Sequence, residues 1–205
     1  MKNKTLCKIV LLARLGLGLA VRLSAGETGT TTGLLGENYF GTTYAWHKLS
    51  DSPIDAHGFA FEGNWVVRDN LDFSLNYDWR RTDEFLGIRA RQQTVLVGLR
   101  IFNSEDRIRY YSEAAAGWAW ADAGGLVSDH SSTYRLGAGA ELTLAPSTTL
   151  TPFIYYQDYG SGGSGTFNYG LKANTWVSRH WALTASVLRD DSKDVSYHLG
   201  VNVRF

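Results

Sequence analysis

The chain has 205 residues, with 20 basic and 20 acidic side chains, 13% aromatics, 22 glycines, 3 prolines and a single cysteine, which suits one domain with a full core and excludes a long disordered part. Five of the basic residues, Lys2, Lys4, Lys8, Arg14 and Arg22, fall in the first 25 positions with no acid among them, so the remainder carries fifteen bases against twenty acids, about −5. A surface of that sign gives no reason to expect nucleic acid as a partner.

The opening 25 residues have the make-up of a secretory signal: a basic start, an apolar run over residues 9–21 interrupted by Arg14, and Leu23-Ser24-Ala25 before Gly26. The segment is too short and too charged for a membrane helix, and no other stretch approaches the roughly 20 apolar residues that a spanning helix requires. Cys7 leaves with the signal, so the mature chain has no cysteine for a disulfide, a thiolate metal site or a nucleophile. A polar Gly/Thr-rich leader over residues 26–35 then precedes a single domain over 36–205.

From there the sequence predicts ten strands, each with apolar residues at every second place. The first, 36–46, puts Phe40, Thr42, Tyr44 and Trp46 on one face. Asp51-Ser52-Pro53 marks a loop, and the second strand, 57–67, carries Phe59, Phe61, Gly63, Trp65 and Val67. A tight turn at Arg68-Asp69-Asn70 leads to the third, 71–80, with Leu71, Phe73, Leu75, Tyr77 and Trp79 opposite Asp72, Ser74, Asn76, Asp78 and Arg80. After a charged loop, 81–91, the fourth strand (92–102) shows Val95, Val97, Leu99 and Ile101. The composition of 103–106 predicts a turn, and the fifth strand (108–120) shows Ile108, Tyr110, Ala114, Ala116, Trp118 and Trp120.

Residues 121–131 are expected to form a loop, before a sixth strand bearing Tyr134, Leu136, Ala138, Ala140, Leu142 and Leu144. The seventh, 150–159, contains Pro152, which removes a ladder donor and is tolerated only near a strand start or edge. Its parity is open between Leu150, Pro152, Ile154 and Tyr156 outward and Phe153 with Tyr155 outward; the first is adopted. A Gly/Ser loop over 160–165 precedes the eighth strand, 166–176, and the ninth, 181–188, shows Trp181, Leu183, Ala185 and Val187. The last, 195–205, alternates without a slip from Val195 to the terminal Phe205.

A soluble barrel of the lipocalin kind would place the apolar face inside. Two features predict the reverse. Trp46, Trp65, Trp79, Trp118, Trp120 and Trp181, with Phe205, sit on the apolar parity towards strand ends, where membrane-interface belts lie. The opposite parity collects Gly41, Gly58, Gly98, Gly117, Gly137, Gly139, Gly170 and Gly200 together with charges of both signs. In lipid no strand edge can stay open, so the expected fold is all-β, a closed antiparallel up-and-down transmembrane barrel of ten strands, with eight as the alternative.

A final strand of alternating apolar residues ending in Phe resembles the closing strand of bacterial outer-membrane β-barrels. The pattern over nearly the whole mature chain is similar to the small barrels of the opacity-protein, OmpX-like and OmpA-like porin family, while the count of ten matches omptins and the Opc adhesin. That resemblance implies a Gram-negative outer membrane, lipid as the surrounding partner, and recognition of the C-terminal strand by the barrel-assembly machinery. Short turns face the periplasm in this architecture and long loops the exterior, so both termini are expected on the periplasmic side.

Inside, Glu37, Glu62, Asp72, Asp78, Glu113 and Glu141 face Arg80, Arg100, Arg109, Arg135, Lys172 and Arg204. Pairing Arg80 with Gln92 sets Asp72 opposite Arg100, with Glu113 in diagonal reach, and Glu37 is expected to meet Arg204 at the seam. Close pairing offsets the desolvation cost, so a connected lumen charge network is expected. The network either lines a narrow passive channel for small solutes or fills the lumen of a structural or surface-interaction barrel. The second is preferred, because barrels near eight strands are just wide enough for side chains to fill.

By resemblance to omptin proteases and barrel lipid A-modifying enzymes, the histidines and acids of the outer loops are the places to look for catalysis. Asp129-His130-Ser131 and the set His47, Asp51, Asp55 and His57 lack any matching motif. No catalytic residue is therefore assigned and the chain is expected not to be an enzyme. No metal site or cofactor is assigned either, since the histidines lack ligand spacing and the Gly/Ser loop has neither a following helix nor a lysine. The identity of any extracellular ligand is not legible in the residues.

Overall fold

A computed structural model describes residues 33–50, 52–84, 87–124, 127–160 and 165–205. The segment expected to be a secretory signal, most of the expected leader and Asp51 lie outside the described residues. Ten strands follow in order: β1 (Tyr39–Lys48), β2 (Asp55–Arg68), β3 (Leu71–Thr82), β4 (Ala90–Glu105), β5 (Ile108–Ala123), β6 (Val127–Ala145), β7 (Thr148–Asp158), β8 (Thr166–Trp176), β9 (Trp181–Asp190) and β10 (Val195–Arg204). Each pairs antiparallel with its chain neighbours, and β1 closes onto β10 from Tyr39↔Arg204 to Lys48↔Val195, so the sheet is a closed barrel without a first or last strand.

Alternation fixes which side chains face where. Along β1, Phe40, Tyr44 and Trp46 are exposed on the outer wall while Tyr39, Ala45 and His47 are buried. Along β4, Val97, Leu99 and Ile101 are exposed between buried Leu96, Gly98, Arg100 and Phe102. The exposed set across the barrel is apolar and aromatic, and the buried set includes Asp72, Arg100, Arg109, Glu113 and Glu141. This inverts the usual arrangement of a soluble protein.

Strand lengths differ from the pattern in the residues at two places. The stretch 121–131, expected as a loop, is largely strand: β5 and β6 run out to the pair Ala123↔Val127 and form a hairpin that rises beyond the neighbouring β7, whose pairing with β6 starts only at Tyr134↔Asp158. The turn expected over 103–106 is confined to 106–107, where Asp106 takes the left-handed φ of 50° that acidic and amide side chains tolerate better than bulky ones. Pro152 faces outward and is exposed, as the adopted parity requires. The β6–β7 ladder lapses between Gly139↔Phe153 and Leu142↔Leu150, where the proline has no N–H to give.

The two ends of the barrel are unlike. Turns at 69–70, 106–107 and 146–147 lie at the end that also holds both strand termini Tyr39 and Arg204, and register shifts at Val66/Arg68 and Thr143/Ala145 sit beside two of them. At the other end longer connections join β1 to β2, β3 to β4 and β7 to β8.

Glycine on the inner face lets neighbouring strands curve tightly. A Cβ on Gly117 would lie 1.8 Å from the Val95 carbonyl oxygen, which is backbone and cannot swing aside. Gly117→Val is expected to lower the unfolding free energy of the refolded barrel by about 1–3 kcal/mol in urea titrations. Ala116→Val, one residue away on the exposed face, is expected to stay within about 0.5 kcal/mol of the parent.

Candidate functional site

The lumen gathers the charged residues of the inner parity, and their side chains meet both between neighbouring strands and, at Glu62, across strands that are not neighbours. Lys172 on β8 reaches Glu62 on β2, Nζ to Oε2 at 2.8 Å, although three strands separate them around the wall. Arg100 on β4 contacts the other Glu62 oxygen at 3.5 Å and donates to Glu113 through Nε at 3.1 Å and Nη2 at 2.7 Å. Arg135 on β6 takes the second Glu113 oxygen through Nη2 at 2.6 Å and Nε at 2.9 Å. Lys172, Glu62, Arg100, Glu113 and Arg135 therefore form one unbroken chain of alternating charge through the interior.

Aromatic rings wrap this chain. The Tyr39 hydroxyl, on a fully buried side chain, donates to Glu62 at 2.5 Å. Tyr111 lies under the Arg100 guanidinium at 5.3 Å and Tyr155 under that of Arg135 at 5.4 Å, within cation–π range. Both carboxylates thus accept from several donors, which is what a buried ion pair needs to offset its desolvation.

Asp72 behaves differently from its register. It stands opposite Arg100, as Asp72↔Arg100, and Arg80 stands opposite Gln92. Glu113 is directly opposite Arg100 rather than diagonal to it. Arg100 turns to the two glutamates, and Asp72 instead accepts the Gly36 amide at 2.9 Å.

That bond belongs to a feature the residues did not announce. Residues 33–38, preceding β1, turn into the short-turn end of the barrel. Leu34 donates its amide to Glu141 at 2.8 Å, the Leu35 carbonyl accepts from Arg109 Nη1 at 2.5 Å, and the Glu37 carbonyl accepts from Asn64 at 2.9 Å. Arg109 and Glu141 are themselves ion-paired, and Leu34 and Leu35 are buried. Gly33 lies so close that a Cβ there would overlap the Glu141 carboxylate and the Arg109 guanidinium. The adjacent leucines in an otherwise polar leader were the available signal.

At the seam, Arg204 Nε lies 3.1 Å from Glu37 Oε2, and its guanidinium sits 4.0 Å above Trp176, the one tryptophan on the inner parity. Asn64, Asn174, Asn202, Thr149, Asp72 and Ser74 are all fully buried, and all come from strand segments next to the short turns. Packing is therefore densest at that end.

Towards the long connections the lumen opens. A cavity of about 420 Å³ runs from Leu49, Asp190 and Asp194 at the mouth past His47, Arg80 and His198 to the Lys172–Arg135 chain. Asp78 and Arg80 face it, 3.7 Å apart, and Arg80 also donates to Tyr159 at 3.2 Å. His47 bonds Ser196 through Nδ1 at 2.6 Å and packs edge-on against His198.

The outer-loop candidates do not converge. Trp46 is paired with His57, so His47 faces the lumen while His57 faces out to Tyr44 and Asp83; the two histidines are on opposite sides of the wall. Asp129, His130 and Ser131 lie on β6, where successive side chains point to opposite faces. Among the described residues no group of three or more His, Cys, Asp or Glu side chains is arranged to hold a metal ion.

The interface aromatics Trp46, Trp65, Trp79, Trp118, Trp120, Trp181 and Phe205 are on the outer wall. Trp46, Trp79, Trp118 and Trp120 lie towards the long connections, and Trp65, Trp181 and Phe205 towards the short turns.

No protein-family model and no curated protein matches the chain. Among solved structures it is similar to Neisserial surface protein A (14% identity, 82% of this chain and 97% of that one, TM-score 0.46). It is also similar to the attachment invasion locus protein Ail of Yersinia pestis (16%, 84% and 100%, TM-score 0.43) and to the NanC porin (8%, 81% and 100%, TM-score 0.49). The assignment as a closed ten-stranded barrel rests on the chain's own strand pairing.

Glu113 holds Arg100 and Arg135 together, and among the described residues its loss leaves Arg135 without a carboxylate and Arg100 with only its 3.5 Å contact to Glu62. Glu113→Gln is expected to cost about 3–5 kcal/mol of stability, because Arg100 and Arg135 stay buried without it. Removing the exposed Arg89–Glu84 pair by Arg89→Gln is expected to cost about 0–1 kcal/mol. Unfolding of the two refolded variants under the same conditions measures both.

Proposed function

We propose that the chain is a non-enzymatic barrel of the outer membrane, with periplasmic termini and a lumen closed at the short-turn end, serving a structural or surface-interaction role through its external connections. The observation that carries this reading is the charge chain from Lys172 to Arg135, backed by residues 33–38 beneath it. Together they fill the lumen towards the short turns, which supports a cup rather than a pore.

The exterior supports the membrane setting. Leu99, Leu183 and Leu199 are at least half exposed on the outer wall, between rows of tryptophan towards either end, and a wall of that kind is stable only against hydrocarbon. The tight turns support placing the termini in the periplasm. The uninterrupted β10 is the segment through which the assembly machinery would recognise the chain, and surrounding lipid is the standing partner. An extracellular ligand would meet the β5–β6 hairpin first.

A narrow passive channel is the second reading, favoured by the cavity itself and by charges of both signs along it. Planar-bilayer recording of the refolded protein separates the two. The closed barrel is expected to give no conductance steps, and to acquire them when residues 26–38 are deleted together with Glu62→Ala and Lys172→Ala. Reproducible steps from the unmodified protein, abolished by an enlarged inner side chain such as Thr184→Trp, would establish the channel and overturn the closed cup.

A further inference from the structure

On the outer wall, β3 and β4 place Arg81 directly opposite Arg91, and both side chains are exposed. Like charges opposite one another on one face of a sheet are destabilising. Among the described residues neither arginine is ion-paired with a carboxylate. Three nearby acids are otherwise engaged: Asp83 faces His57 at 3.8 Å, Glu84 holds Arg89 at 2.9 Å, and Asp55 accepts from the Trp46 indole at 2.9 Å. Asp122 stands opposite Arg91 on β5 without forming an ion pair.

Position adds an independent constraint. Two residues nearer the barrel's middle, the same strands carry Trp79, Gln93 and Trp120 in register on the same outer face. Arg81 lies over the Trp79 ring at 5.9 Å. Tryptophan rows mark the level of the lipid headgroups, so the arginine pair stands one step further out, where phosphates lie. A guanidinium presents its donors in a fork that matches phosphate oxygens.

We propose that Arg81 and Arg91, seated above Trp79 and Trp120, bind the phosphate group of a lipid in the leaflet on the loop side. This rests on the outer-membrane reading above and adds a defined lipid site to it. The phosphate supplies the ion-pair partner that the opposed arginines lack among the described residues, and acyl chains of the same lipid lie along the apolar wall below. Arg89, two residues before Arg91, is satisfied by Glu84 and takes no part.

The test uses the full mature chain refolded in detergent, with diphosphoryl lipid A as probe, its dephosphorylated form as control, and bound lipid read by native mass spectrometry. The parent is expected to retain the phosphorylated probe and to bind the dephosphorylated form roughly tenfold more weakly, since charge-assisted contacts are lost. Arg81→Gln with Arg91→Gln is expected to abolish that discrimination, while Arg89→Gln preserves it. Equal retention of both lipids by the parent, or undiminished discrimination in the double variant, would overturn the site. Should the double variant not fold, the parent's preference between the two lipids still decides. Heat-dependent gel migration and insertion into phosphatidylcholine vesicles report the underlying reading separately: a chain that inserts yet ignores the phosphate defeats the lipid site alone, and one that never inserts defeats both.

Discussion

On the reading proposed above the sheet is wetted by hydrocarbon, which offers no solvent to satisfy a backbone amide or carbonyl, and the architecture follows from meeting that condition. Closure of β1 onto β10 over the full length of both strands removes the edge at which such groups would be stranded. It also divides the side chains into two populations with nothing between them, because a residue on a closed wall faces either lipid or lumen. Pro152 shows how narrow the tolerance is. It sits on the outer face at a place where the β6–β7 ladder lapses, and the ladder resumes on either side.

Confining charge to the inside creates the second problem, since ions removed from water must find partners nearby. The lumen solves it by register where partners stand opposite, as in Arg100–Glu113 and Arg109–Glu141, and by reach elsewhere. Asp72 is opposite Arg100 on the adjacent strand yet bonds the Gly36 amide, while Lys172 crosses the interior to Glu62. Long side chains therefore tie distant parts of the wall together. The backbone of residues 33–38 serves the buried Asp72, Arg109, Glu141 and Asn64, which would otherwise lack those partners at the short-turn end. Strand pairing shapes the wall, and the interior network determines how much of the bore is left.

Period-two alternation is the strongest signal a strand can give, and here it made fold, strand count and facing legible directly. The faces of β3 and β10 follow from residues alone because every second position is apolar and no charge intrudes. Strand ends were less legible. The β5–β6 hairpin extends through Ser128-Asp129-His130-Ser131, a polar stretch without alternation that rises beyond the neighbouring β7. Within the interior network, the pairs Arg100–Glu113 and Glu37–Arg204 were legible from strand register, and the contacts across the bore were not. Parity assigns Glu62 and Lys172 to the lumen but contains nothing about the distance across it. Trp176 belonged to the inner parity by simple counting, whereas the inward turn of residues 33–38 has no periodicity to reveal it.

The division between a lipid-wetted outer wall and an enclosed charged interior is tested most directly by tryptophan fluorescence in vesicles of lipid brominated along the acyl chain. Two single-tryptophan variants suffice, one keeping only Trp118, exposed on the outer wall, and one keeping only Trp176, stacked on Arg204 within. The account predicts strong quenching of Trp118 and little of Trp176. Quenching of Trp176 with Trp118 left bright would mean that the apolar face is turned inward, and would contradict it.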